Sequence, residues 1–190
     1  SQIHRMAIQF NQKAAIQSTQ HKRDTASTIT DADSVTSTAQ AAATAPRFII
    51  TIDTEEEGLW SGRFRTTGNT VQNISSIPRF QALCDQMQLQ PTYLVDAPVV
   101  ATQHASEFLA EIHADGRCEI GAHVHPWCNP PIDDVYDQRE SYLCNLPADL
   151  QQAKIEWLTS AIAERFERRP TSFRAGRYGL DITGAKLLAQ

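Results

Sequence analysis

With 190 residues, 41% of them apolar and 21% charged, the chain has the size of one ordinary domain and enough apolar material for a real core. Its formal net charge is −5 and it holds no basic block, which argues against nucleic acid as a partner. No run of about 18 apolar residues occurs, so no transmembrane helix is expected.

Residues 1–46 are rich in Gln, Thr, Ser and Ala, and Ser18 to Ala45 shows no apolar periodicity. Such a stretch cannot bury enough surface to offset its ordering entropy, so it reads as an unstructured tail or linker. Met6 to Phe10 is too short an apolar run for a secretory signal, which tilts the expectation toward the cytoplasm. The chain opens on Ser1 rather than Met, so the compartment stays open. Oligomeric state is not legible.

The folded domain is expected over residues 47–190. Phe48 to Asp53 is an apolar, β-branched run that turns acidic at its end, the pattern of a buried strand with a functional C-terminal tip. A polar loop with three glycines, 58–72, follows. Residues 74–89 show helical spacing at Ile77, Phe80, Leu83, Cys84 and Met87. Pro91 to Asp96 is a second strand, again closing on an acid. Residues 103–115 form a second amphipathic helix, with Phe108, Leu109 and Ile112 inward and Gly116 as its stop. Cys118 to His125 is the third strand, and 126–147 is a long loop punctuated by Asn129-Pro-Pro131. Residues 148–168 form a third helix with Leu150, Ile155, Leu158, Ile162 and Phe166 on one side. Thr171 to Arg174 is a fourth strand, and Asp181 caps a last helix.

This alternation of strand and helix implies an α/β fold of parallel strands with crossover helices, either a (β/α) barrel or an open doubly wound sheet. In both, functional groups gather at the C-terminal ends of the strands. The acids of 53–57, the histidines of 123–125 and Arg174 all fall there.

His123 and His125 lie on one face of a strand, roughly 7 Å apart along the backbone, close enough to share one metal ion. Asp53 and Glu55 also face one way and Glu56 the other. Glu55 with the two histidines would give a His₂-carboxylate set, the pattern of a catalytic zinc site with open positions. Asp53 would then be free as a general base. Arg174 follows an apolar strand and should pair with Asp53, keeping it ionised. The turn Ala175-Gly-Arg177-Tyr178-Gly179 lets backbone N–H groups approach a substrate oxygen. Trp60, Trp127 and Tyr142 are candidate surfaces for stacking a sugar ring. Among the cysteines, Cys84 and Cys118 read as buried thiols, while Cys128 and Cys144 bracket a loop that a disulfide could close. None forms a Cys-x-x-Cys pair.

Three segments, Ile49-Ile-Thr-Ile-Asp53, Glu119-Ile-Gly-Ala-His123-Val-His125-Pro126 and Phe173-Arg174-Ala-Gly-Arg-Tyr178-Gly179, together resemble the polysaccharide deacetylase (NodB-homology) family of carbohydrate esterases, across residues 47–190. The resemblance implies a distorted (β/α) barrel and a metal-dependent hydrolase, usually with zinc, that removes acetyl groups from N-acetylated sugars. It implies Asp53 as catalytic base, His123 as a metal ligand, Arg174 as the residue orienting the base, and the backbone at Tyr178 near the oxyanion.

Three departures accompany it. Thr54 stands where the family has a second aspartate, leaving Glu55 as the natural substitute ligand and Glu56 as its rival. The histidines are two residues apart rather than four, which marks a divergent His-x-His-Pro-Trp branch. The family's later motifs, which include a histidine acting as general acid, have no counterpart, since no histidine follows His125. The expectation is therefore the N-terminal part of a longer protein, about four β/α units of an incomplete barrel, with little turnover by itself. Two other readings stay open: a metal-free amidase-type relative acting on a small ureide or amide, and a catalytically silent carbohydrate-binding module.

Overall fold

The computed structural model describes residues 48–132 and 136–189, with the side chain of Trp60 outside the description. The tail expected over residues 1–46 and the stacking surface expected of Trp60 lie outside the described residues.

The strands are β1 (Thr51–Thr54), β2 (Thr92–Val95), β3 (Glu119–Val124) and β4 (Phe173–Ala175). The helices are α1 (Ile77–Gln86), α2 (Ala97–Ala101), α3 (Gln103–Ala114), α4 (Ala148–Phe166) and α5 (Ile182–Leu188). The four strands form one sheet in the order β1-β2-β3-β4, and all neighbours are parallel. A doubly wound sheet reverses its strand order at a switch point; this one does not. Parallel crossovers are right-handed as a rule, and between successive neighbours such crossovers carry the helices to a single face. The order is that of half a (β/α) barrel.

Register decides which side chains share a face. Thr54, Val95, Ala122 and Phe173 stand in one row, as do Ile52, Tyr93 and Ile120. These rows face the helices. Tyr93, Val95, Ile120, Ala122 and Val124 are buried in one cluster with Leu109 and Ile112 of α3 and Leu158 and Ile162 of α4. Each fully buried aliphatic chain there stabilises the fold by roughly 1.5–3 kcal/mol. The opposite face carries Thr51 and Asp53, Leu94, Gly121 and His123, and Arg174. It is polar toward the C-terminal strand ends, and there the side chains converge.

Several features differ from the sequence reading. The run expected as a buried strand over Phe48 to Asp53 forms β1 only from Thr51, and Phe48 and Ile49 are exposed. In α1 the buried stripe is Ile77, Gln81 and Cys84, whereas Phe80, Leu83 and Met87 are exposed. Gln81 is tolerated inside because Tyr93 Oη donates to its Oε1 at 2.9 Å and its Nε2 donates to Asp85 Oδ1 at 2.8 Å. Asp96 is not a free acid at a strand tip: it is buried and caps α2, a short helix absent from the prediction, by accepting from Val99 N at 2.9 Å. The cysteines are all free, so Cys128 and Cys144 form no disulfide.

Candidate metal-binding cleft

A cleft of about 510 Å³ opens at the C-terminal ends of the strands. Asp53, Glu55, His123, His125 and Arg174 line it, with Leu59, Phe64, Trp127, Tyr142, Arg177 and Tyr178 among its walls.

At its floor three atoms converge. His123 Nε2 lies 2.9 Å from Glu55 Oε2, His125 Nε2 lies 3.3 Å from the same oxygen, and the two Nε2 atoms are 3.0 Å apart. Each imidazole is held from behind at its other nitrogen. His123 Nδ1 donates to the Arg174 carbonyl oxygen at 2.9 Å, and His125 Nδ1 donates to Glu56 Oε2 at 2.8 Å. Since a carbonyl oxygen only accepts, His123 carries a proton on Nδ1, which leaves Nε2 as the atom turned toward the cleft. The second bond orients His125 in the same way. Two imidazole Nε2 atoms and a carboxylate oxygen therefore converge on one point, a donor set that suits a cation once Nε2 gives up any proton it carries.

The residues fit a divalent metal ion. Ligand atoms on a tetrahedral ion at 2.0–2.1 Å are about 3.3 Å apart, a few tenths of an ångström wider than the triangle observed. A histidine whose remote N–H is held by a carboxylate or carbonyl is the usual outer support of a metal ligand.

Glu56 faces away from Glu55 and is almost fully buried. Besides His125, its carboxylate accepts from Trp127 Nε1 at 2.8 Å, and its own N–H donates to Asp96 Oδ2 at 2.7 Å. Glu56, Asp96, His125 and Cys128 form a second group with donor atoms close together. Its carboxylate oxygens already accept protein hydrogen bonds, so it reads as the layer supporting His125. Burial opposes ionisation of Glu56, but hydrogen bonds from Asp96, His125 and Trp127 outweigh it and hold this carboxyl well below its usual range. Burial and the neighbouring Glu56 push Asp96 well above that range. Burial likewise raises the Cys128 thiol, which makes it a poor nucleophile.

The same logic governs the cleft floor. Burial alone would raise Glu55, but hydrogen bonds to His123 and His125 bring it down to about 2. Burial alone would lower His125, yet Glu55 and Glu56 on its two nitrogens raise it to about 10. Without a metal ion, His125 is an imidazolium bridging two carboxylates.

Asp53 sits beside this cluster and is ion-paired with Arg174 through Nη1. Arg174 also donates from Nη2 to Thr51 Oγ1 at 2.7 Å. Gly176 lies against His125: a Cβ there would come within 2.4 Å of its Cδ2 and 2.8 Å of the Val124 carbonyl oxygen. Tyr178 turns outward, 82% exposed, so its ring offers the cleft only a rim. Trp127 is buried and stacked on His125, ring centroids 4.5 Å apart. It is a wall supporting the imidazole, not a platform for a sugar.

The sequence reading overlooked Lys154. Its ammonium, wholly buried, donates to the carbonyl oxygens of Pro126 at 2.8 Å, Asn129 at 2.7 Å and Pro131. It thereby fixes the loop that presents Trp127 and Cys128 to Glu56. A signal was available: Lys154 occupies the same face of α4 as Gln151, Ile155, Leu158 and Ile162.

No protein-family model matches the chain, and no curated protein matches it. Among solved structures it is similar to the Xyl-CE4 domain of a multidomain xylanase from the hindgut metagenome of Trinervitermes trinervoides, at 14% identity and a TM-score of 0.47. The match covers 73% of this chain and 52% of that one, so the chain spans about half the length of this neighbour.

Proposed function

We propose that the cleft is the centre of a metal-dependent hydrolase that removes acetyl groups from N-acetylated sugars, with Glu55, His123 and His125 holding the ion. The observation that carries this reading is the convergence of two imidazole Nε2 atoms and a carboxylate oxygen within 3.3 Å of one another, next to a carboxylate held by an arginine. The resemblance of the three sequence segments supplies the substrate class.

When bound, a divalent ion, zinc by the chemistry of the donor set, supplies Lewis acidity toward an amide carbonyl and toward water. The chain's own residues do the rest. In this reading Asp53 accepts the proton of the attacking water and, with no histidine after His125 to act as general acid, returns it to the departing nitrogen, so that the C–N bond breaks to acetate and a free amine. Arg174 pairs with Asp53 and fixes its orientation. The turn at Gly176–Tyr178 lays backbone against the cleft, where an N–H can meet a developing oxyanion.

Elemental analysis and hydrolysis assays on the same preparations test the reading. The wild type should carry about one zinc per chain and a His123→Ala/His125→Ala double variant none. Asp53→Asn should keep its zinc while losing roughly 10²–10⁴-fold in rate on acetylated oligosaccharides. Zinc-free wild type that hydrolyses an amide would overturn the metal role in favour of a metal-free amidase.

A further inference from the structure

One charged side chain of the cleft has no counter-charge among the described residues. Four permanently charged side chains line it: Asp53, Glu55, Arg174 and Arg177. Asp53 pairs with Arg174, and Glu55 with the histidines. Arg177 makes no ion pair among the described residues. All its hydrogen bonds go to neutral oxygens: Ser141 Oγ, the Gln138 carbonyl at 3.4 Å and Tyr142 Oη at 2.8 Å.

Arg177 is nonetheless held firmly. Its guanidinium carbon lies 4.1 Å from the centroid of the Tyr142 ring and 5.4 Å from that of Phe64. Arg177 and Tyr178 both adopt left-handed backbone, φ 54° and 57°, which non-glycine residues seldom do. Paired residues in such a conformation cost free energy and cluster at ligand-binding turns. A guanidinium fixed by ring faces and neutral acceptors, with N–H groups to spare in a partly closed cleft, suits the bidentate capture of an anion.

The geometry points to Arg177 as the specificity residue for a carboxylate carried by the substrate, so that the cleft takes acidic N-acetylated sugars in preference to neutral ones. This rests on the deacetylase reading above. Arg174 cannot serve instead, because Asp53 occupies it.

The test uses a matched pair of ligands with zinc-loaded protein and calorimetry. N-acetylmuramic acid and N-acetylglucosamine share ring and acetamide and differ in a lactyl carboxylate. The wild type should bind the acid at least ~10-fold more tightly, as a charge-assisted hydrogen bond provides. The methyl ester of the acid should bind like the neutral sugar, a control that needs no variant. Arg177→Gln, checked by its melting temperature, should abolish the preference, and Arg177→Lys should keep part of it. Equal binding of both sugars by the wild type would overturn the inference and leave the deacetylase reading standing. A preference that survives in Arg177→Gln would assign the carboxylate to the metal ion, and would also overturn it. Binding of neither sugar would remove the deacetylase reading and this inference with it.

Discussion

Metal uptake by the cleft should expel a proton, and the count of that proton tests the electrostatics directly. In the metal-free protein His125 is held as an imidazolium to about pH 10 by Glu55 and Glu56. An ion can bind its Nε2 only after the proton leaves. At pH 8 an ordinary imidazole with a pKa of about 6.5 is already ~97% deprotonated and would release ~0.03 proton, whereas His125 should release about one. Affinity should therefore rise about tenfold, or ~1.4 kcal/mol, for each pH unit up to that value. Titrating zinc at pH 8 in two buffers of different ionisation enthalpy gives the count. Glu56→Gln removes one of the two anions that hold this proton and should lower the count. The sign for folding is the reverse of that for metal. The pKa of His125 is raised above its unfolded value, so its contribution is present in full below about pH 6.5 and is lost as pH rises toward about 10. The metal-free protein should become less stable over the interval in which it binds zinc more tightly. A wild-type count near zero at pH 8 would refute the bridging imidazolium.

Two further substitutions probe the support of the site. Lys154→Met strands three carbonyl oxygens of the 126–131 loop and should destabilise the protein by about 3–5 kcal/mol, read as a fall in melting temperature of roughly 6–20 °C. A loss below about 1 kcal/mol would show that the loop is held by other means. Gly176→Ala places a methyl group where His125 Cδ2 and the Val124 carbonyl stand, so His125 must move. Zinc affinity should drop at least ~10-fold, the scale of disturbing a ligand's support, with little change in far-ultraviolet circular dichroism.

Much of this molecule is local in origin. Alternating β-branched runs and amphipathic stretches are short-range patterns, so β1, β2, β3, α3 and α4 follow from residues next to one another in the chain. The two-residue period of a strand likewise puts Asp53 with Glu55 and His123 with His125 on common faces before any packing is known. Asp181 was readable as a cap because a cap acts within four residues, and it accepts from Gly184 N at 2.9 Å.

What the tertiary structure decided are matters of contact across the chain. Whether strand order runs 1-2-3-4 or reverses is settled by crossover packing and not by any single segment. Glu55 and Glu56 are alike in type and adjacent. Only the convergence of the β1 and β3 C-terminal ends across the sheet sets one at the imidazole Nε2 atoms and the other at the His125 Nδ1. Asp96 reads as a strand-tip acid until its N-cap and its place under Glu56 are seen. Lys154 and Arg177 gain their roles from loops 23 to 39 positions away in sequence. Hydrophobic periodicity reports which face of an element is buried; which buried charge finds which partner depends on distances that only the assembled fold fixes.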